Sequence, residues 1–396
     1  MKKKTKWFTL LALFLSFSIY LTIDYVGPDF IELKEGQALG MRCKKADDLS
    51  IQYIDQQGSA WASRGMIIYR RKKDENQFTK IIHVPTGFTP YWLRNFSFVR
   101  WITQRPECIE FTVFENGDIS ALSAGYMWFY QADIKKFSQS LKLAYYSKGN
   151  QGIFNNGILQ TKQGNLFFGE YFKNEKDTSV SLFESNDHGK SWHMKYSFSS
   201  HKIRHIHSIQ QDPFSDLLWM TTGDEGGNYI YWSDDQFKSI HPIGFGEKYF
   251  TTQLLFTKDE IYWGSDTETG KDAGIYRWNR KTEQLNKVIS FPSIFFYSNL
   301  LKKGTMVFTT VREGFTFEQD KYARVFIKTP DENWNIIKQG EWKKNAIPIL
   351  FQKAKTRLPR ENNHSEEIYM SVQKQSEFSD NELIVMHEDE LIKKCK

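Results

Sequence analysis

The sequence predicts an all-β fold: a β-propeller of seven four-stranded blades, preceded by one N-terminal transmembrane or signal helix. The first reason is a strand–polar turn–strand unit that recurs about every 45 to 60 residues, a period expected of propeller blades. The second is composition. The 12 Trp, 19 Tyr and 32 Phe set against 10 Pro suit many short strands and argue against a disordered chain. A repeat architecture also accounts for 396 residues without splitting them into two or three ordinary domains.

Taken in order, residues 1–6 are basic and residues 7–23 carry no charge. An uncharged run of 17 lies at the lower edge of a spanning helix, which needs about 20 residues. Lysines before it predict a cytoplasmic N-terminus with the rest of the chain outside. Residues 1–26 are therefore expected to form a signal-anchor helix, and 27–396 the propeller. Cleavage as a signal peptide near Ser16-Phe17-Ser18 is the alternative, and would leave a secreted protein. Either way the propeller is extracytoplasmic, at the cell surface or in the periplasm, and the membrane is a partner only through the helix.

Copies of the repeat start near Gly65, Gly125, Ser181, Asn228, Ala273, Tyr322 and, weakly, Glu366. Each is an outer hairpin preceded by two further strand candidates. The best defined are 205–211 and 217–222, separated by the turn residues Asp212-Pro213-Phe214-Ser215-Asp216. Second strands are expected likewise at 165–170, 260–265 and 305–311. The net charge is +6, of which Lys2, Lys3, Lys4 and Lys6 supply four, so the propeller carries no basic stripe and no nucleic-acid partner is expected. Cys43, Cys108 and Cys395 form no C-x-x-C zinc pattern. A Cys43–Cys108 bridge and unpaired thiols both stay open.

In a propeller, the loops leaving each second strand and entering each first strand share one rim of the central channel. That rim gathers Glu170, Tyr171, Asp224, Glu225 and Asp266 from second strands, with Arg312 and Glu313 from the next unit. First strands add Arg204, His205, His207 and Gln253. His205 and His207 are two residues apart on a strand and so share a face. One could take a proton while the other positions substrate or binds a metal, or both could simply fill the channel beside carboxylates. The 223–228 loop lacks the lysine of a phosphate loop and the ligand spacing of a calcium loop, so it reads as an acidic substrate loop. The only cofactor entertained is a divalent cation, held by Asp224 with His207 and Asp266.

Ser185-Asn186-Asp187-His188-Gly189-Lys190-Ser191-Trp192 reads S-x-D-x-G-x-S-W between two strand-like runs. It resembles the Asp box, the BNR repeat of sialidase-like β-propellers, with Ser185, Asp187, Gly189, Ser191 and Trp192 as its structural positions. Ser233, Asp235 and Ser239 repeat the pattern 48 residues later with Phe237 in place of the glycine, which predicts a different turn there. Glu170-Tyr171 matches the nucleophile pair of a retaining sialidase, but the F-R-I-P start motif is absent and no arginine triad can be assigned, so sialidase activity is not expected. The order G-E-Y, Asp box, R-H-I-H, D-P, T-G-D, Y-W-G-S-D over residues 169–266 is similar to bacterial BNR-type propellers linked to extracellular or capsular polysaccharides. That similarity implies a polysaccharide partner. Comparison with propeller polysaccharide lyases implies His205 or His207 as base, Tyr171 as acid and Arg204 against a uronate carboxylate. Asp224, Glu225, Gln253, Asp266 and Arg312 would bind substrate. A glycoside hydrolase pairing Glu170 with Asp224 or Asp266 is one alternative. A non-catalytic glycan-binding or assembly scaffold is the other.

Overall fold

The computed structural model describes residues 26–86, 93, 96, 99, 109–123, 125–143, 157–172, 174–224, 226–318, 321–331, 333–342, 353–360 and 365–395. Residues 1–25 of the expected N-terminal helix, Glu225 and Cys108 lie outside them. Among the described residues no helix is long and apolar enough to cross a membrane.

Seven antiparallel sheets follow one another around a ring. Their innermost strands are Ser50–Ile54, Ile109–Val113, Ile158–Gln160, His205–Gln211, Leu254–Phe256, Ile294–Leu300 and Lys355–Arg357. We number the blades one to seven in that order. The fourth blade shows the pattern: His205–Gln211, Leu218–Gly223, Tyr229–Ser233 and His241–Phe245 pair in sequence order from the channel outward. Both faces of each sheet meet a neighbouring blade, so inner strands are buried nearly throughout instead of alternating. The core is accordingly divided into wedges between blades. Ile206 and Met220 of the fourth blade pack with Phe167 and Leu182 of the third, while Trp219 packs with Leu254 and Trp263 of the fifth.

Two features differ from the expected plan. The copy near Glu366 is not an outer hairpin: Glu367–Gln373 and Glu382–His387 are the second and third strands of the seventh blade. Its fourth strand is Met41–Ala46, from the beginning of the propeller, so the two ends of the chain close the ring in one sheet. Two sheets also gain a fifth strand, Phe30–Glu32 on the first blade and Lys34–Ala38 on the seventh. Hydrophobic period alone does not reveal these edge strands, because Lys34–Ala38 is largely exposed. A short helix, Glu388–Cys395, follows the last strand.

The closing joint carries a buried charge. Arg71 of the first blade is 2% exposed and donates to Glu367 of the seventh (2.5 and 3.2 Å) and to Tyr369. Tyr369 donates to the same carboxylate at 2.7 Å. Burial works to raise the Glu367 carboxyl, but the Arg71 hydrogen bond and charge outweigh it and hold it below its usual range. A depressed folded-state value contributes stability that is present above the unfolded carboxylate range and lost as pH falls through the folded value. Glu367→Gln is therefore expected to lower stability at neutral pH and to flatten the acid-side loss below about pH 5. Urea unfolding across pH checks both.

The 185–192 turn joins the third and fourth strands of the third blade, on the face opposite the rim described below. Asp187 accepts from Ser185 Oγ (2.8 Å) and from Ser191 N and Oγ (2.8 and 2.6 Å). Gly189 sits at φ +86° and accepts at its carbonyl from Trp192 Nε1. The 233–239 turn repeats the bonds to the Asp187 carboxylate one for one at Asp235, against the expectation of a different turn, with Ile240 in the Trp192 position and no counterpart of the indole bond. Phe237 holds the glycine position at φ +59° because its ring is fully buried against Phe167 at 5.3 Å. Core packing there offsets a left-handed conformation that costs roughly 1–2 kcal/mol.

Candidate metal centre on the channel rim

The strand Leu218–Gly223 and its partner His205–Gln211 build the centre. Pairing runs His205↔Gly223, Ile206↔Thr222, then Ser208↔Thr221, leaving His207 as the extra residue of a β-bulge. A bulge re-aims a side chain. Here it brings His207 Nε2 to 3.0 Å from His205 Nε2. Gly223 makes room for this, since a Cβ there would lie 2.1 Å from His207 Cε1. The next residue, Asp224, turns at φ +66° and aims its carboxylate back, with Oδ2 3.1 Å from His205 Nε2 and Oδ1 3.7 Å from His207 Nε2.

The far sides of both imidazoles fix their tautomers. His205 Nδ1 is 3.1 Å from the Phe172 carbonyl and His207 Nδ1 3.2 Å from the Thr251 carbonyl. Carbonyl oxygens only accept, so each Nδ1–H donates outward and each Nε2 turns a lone pair inward. In neutral rings two lone pairs and a carboxylate then converge, whereas a proton on His205 Nε2 would donate to Asp224. Only a proton on one imidazole or a bound cation relieves that convergence. Two ligands bonded at about 2.1 Å and at right angles stand about 3.0 Å apart, close to the separations seen. The residues fit a divalent transition metal on a two-histidine, one-carboxylate set with open positions. By accepting from Nδ1–H, the outward carbonyls orient each imidazole and make its Nε2 a better ligand.

Electrostatics agree with the geometry. Burial and the neighbouring His205 lower His207 to about 4, against the opposing pull of Asp224 and Thr251. Burial would raise Asp224, but the His205 hydrogen bond and both histidine charges hold it far below its usual value. Tyr171 lies against His205, ring centroids 4.1 Å apart, and Phe250 stacks on His207 at 5.6 Å. Burial, then the charges of Asp224, Asp266 and Glu313, push the Tyr171 hydroxyl well up and keep it protonated. Asp266 is buried, and burial with Asp224 and Glu313 raises its carboxyl well above the usual range while Lys353 opposes.

The expected site residues thus divide. Tyr171, His205, His207, Asp224 and Asp266 share the rim; the compact ligand set contains His205 where Asp266 was expected. Glu170 is 8% exposed and spends its carboxylate on the Ser181 backbone N–H at 2.8 Å. Gln253 is engaged between blades: its amide donates to the Ser298 carbonyl (2.7 Å) and accepts from Ser298 N (3.3 Å), tying the fifth blade to the sixth. Gln210 makes the same pair with Leu254. Arg312 is likewise engaged, at 2.5 Å from Glu318 and over the Trp342 ring. Arg204 is half-buried at the start of the His205 strand. Sequence reasoning missed Phe250 and Lys353, which sit in connections that carry no recognisable motif. The carbonyls of Phe172 and Thr251 have no sequence signature at all.

Asp224→Asn probes the lone-pair argument. Where both imidazoles are neutral, the new amide N–H fills the acceptor cluster, so the variant is expected to be about 1 kcal/mol more stable than wild type in chelator. It is expected to lose divalent-cation binding at the same time. Thermal melts with chelator and with Mn²⁺ report both effects.

No family model matches the chain, and no curated protein matches it. Solved structures do. One is an oligogalacturonate lyase from Vibrio parahaemolyticus, 10% identical with a TM-score of 0.56, covering 90% of this chain and 97% of that one. Another is an oligogalacturonate lyase in complex with manganese, 8% identical with a TM-score of 0.54, covering 90% and 96%. At such identities the likeness shows a shared fold along nearly the whole of both chains: this chain is a seven-bladed, all-β propeller.

Proposed function

We propose that this chain is an exported, membrane-tethered propeller that cleaves an acidic polysaccharide at a divalent-cation centre formed by His205, His207 and Asp224. The observation that carries the reading is the approach of His205 Nε2, His207 Nε2 and the Asp224 carboxylate to within 3.0–3.7 Å of one another. The basic residues 1–6 and uncharged residues 7–23 support export and tethering. Two turns with the Asp-box bonding pattern support a place among sialidase-like propellers. The two similar lyase structures favour elimination at a uronate over hydrolysis.

A bound divalent cation would supply positive charge for the uronate carboxylate. The chain's own residues do the rest. His205 and His207 act as ligands in this reading, since their Nε2 atoms face each other and Asp224, and neither is free to take a substrate proton. Asp266, a buried carboxyl group on the same rim, takes the proton beside the sugar carboxylate in its ionised form. Lys353 favours that form, and the raised proton affinity makes it a stronger base. Tyr171, held protonated, donates to the leaving oxygen. Phe250 and Tyr171 keep water from the imidazole faces.

The test uses the full-length protein with Mn²⁺ and a panel of polygalacturonate, alginate, hyaluronan and a neutral glucan. Ultraviolet absorbance of an unsaturated sugar should rise together with reducing ends on an acidic polymer, and chelator should abolish both. Asp266→Asn and Tyr171→Phe should lower kcat by about 100-fold or more with Mn²⁺ affinity retained. Reducing ends alone would mean hydrolysis. Glycan binding without any product would mean a binding scaffold and would sink the enzyme reading.

A further inference from the structure

We infer that the 313–318 loop of the sixth blade is a sugar-stacking platform, with Phe315 receiving the pyranose next to the one held at the cation centre; this rests on the carbohydrate reading above. The loop leaves the strand Met306–Val311 on the same rim as Asp224 and Asp266. It is held rigidly. Glu318, 4% exposed, accepts from the backbone N–H groups of Glu313 (3.2 Å), Gly314 (2.6 Å) and Phe315 (2.8 Å) and pairs with Arg312. Arg312 is in turn bonded through its backbone to Ala354 at 2.8 and 3.0 Å.

What this scaffold presents is apolar. Phe315 is 37% exposed and stacks on Phe317 with ring centroids 5.6 Å apart and planes at 16°. Phe317 is wedged against the neighbouring blade, where a Cβ on Gly270 would lie 2.4 Å from its ring. A polar network that pins an exposed ring, when the ring could have been buried, is the arrangement expected of a preorganised binding surface. Lys353 stands beside it, paired with Glu313, and its charge reaches both Asp224 and Asp266. An aromatic face next to an ammonium group suits a pyranose that carries a carboxylate.

The experiment measures calorimetric binding of short and long oligogalacturonates and oligomannuronates to the full-length protein with Mn²⁺. Phe315→Ala is expected to weaken the long oligomer by roughly 3- to 10-fold, with monosaccharide uronate and Mn²⁺ affinities unchanged. Phe315→Tyr should bind as wild type. If Phe315→Ala binds the long oligomer normally while His207→Ala has lost it, the platform is overturned and the cation reading stands. If the wild type binds neither series with Mn²⁺ present, both the platform and the acidic-polysaccharide reading fall.

Discussion

His207→Ala is expected to lower Mn²⁺ affinity by on the order of 100-fold or more and to reduce polysaccharide cleavage to background. The reason is geometric. His207 is the extra residue of the bulge and is 1% exposed, so its Nε2 points into the centre and has no alternative route to solvent. Truncation leaves His205 and Asp224 as a two-ligand set, too few to hold a labile divalent ion against water. His205→Ala should behave alike, while His193→Ala, on the exposed outer strand of the third blade, should leave both readouts unchanged. Isothermal titration with Mn²⁺ and the polysaccharide assay measure the two effects. Retention of full affinity in both rim variants would remove the histidines from the centre.

Glu110→Ala is expected to cost about 3–5 kcal/mol of stability, the largest structural effect foreseen. Arg357 of the seventh blade, 1% exposed, donates to Glu110 of the second blade and Gln52 of the first, both at 2.7 Å. Arg360 sits alongside, over the Tyr53 ring at 4.6 Å and bonded to the Phe111 carbonyl and Thr112 Oγ1. Three inner strands thus meet at the Arg357 guanidinium across the closing joint, with Glu110 its buried carboxylate partner. Removing it strands guanidinium charge in a site without water access, which costs more than the pair contributes. Glu110→Gln, which keeps an acceptor, should fall between. Equilibrium urea denaturation gives the values, and a loss below about 1 kcal/mol would show that the inner strands relax around the charge.

The blade period was legible because the outer hairpin of third and fourth strands recurs in the first six blades. Strands 180–185, 193–198 and 205–211 fall where the strand-like runs flanking the 185–192 turn and the R-H-I-H run place them. Ring closure was not legible. Met41–Ala46 pairs with Ile384 and Val385, more than 300 residues away, and nothing local encodes such a pairing. At the site, i and i+2 spacing brought His205 and His207 together, and the blade register added Asp224 and Tyr171. It did not show that Gln253 and Arg312 bond within the fold, to Ser298 and Glu318. Residue type shows what a side chain can bond, but not which neighbour reaches it first. The bulge at His207 was equally hidden, because a one-residue shift in pairing leaves composition unchanged.

Anomalous diffraction from crystals of the protein grown with Mn²⁺ tests the central claim most directly. The account predicts one strong peak per chain within bonding distance of His205 Nε2, His207 Nε2 and a carboxylate oxygen of Asp224. A structure with no peak there, and with a proton shared between His205 and Asp224 at neutral pH, would contradict it.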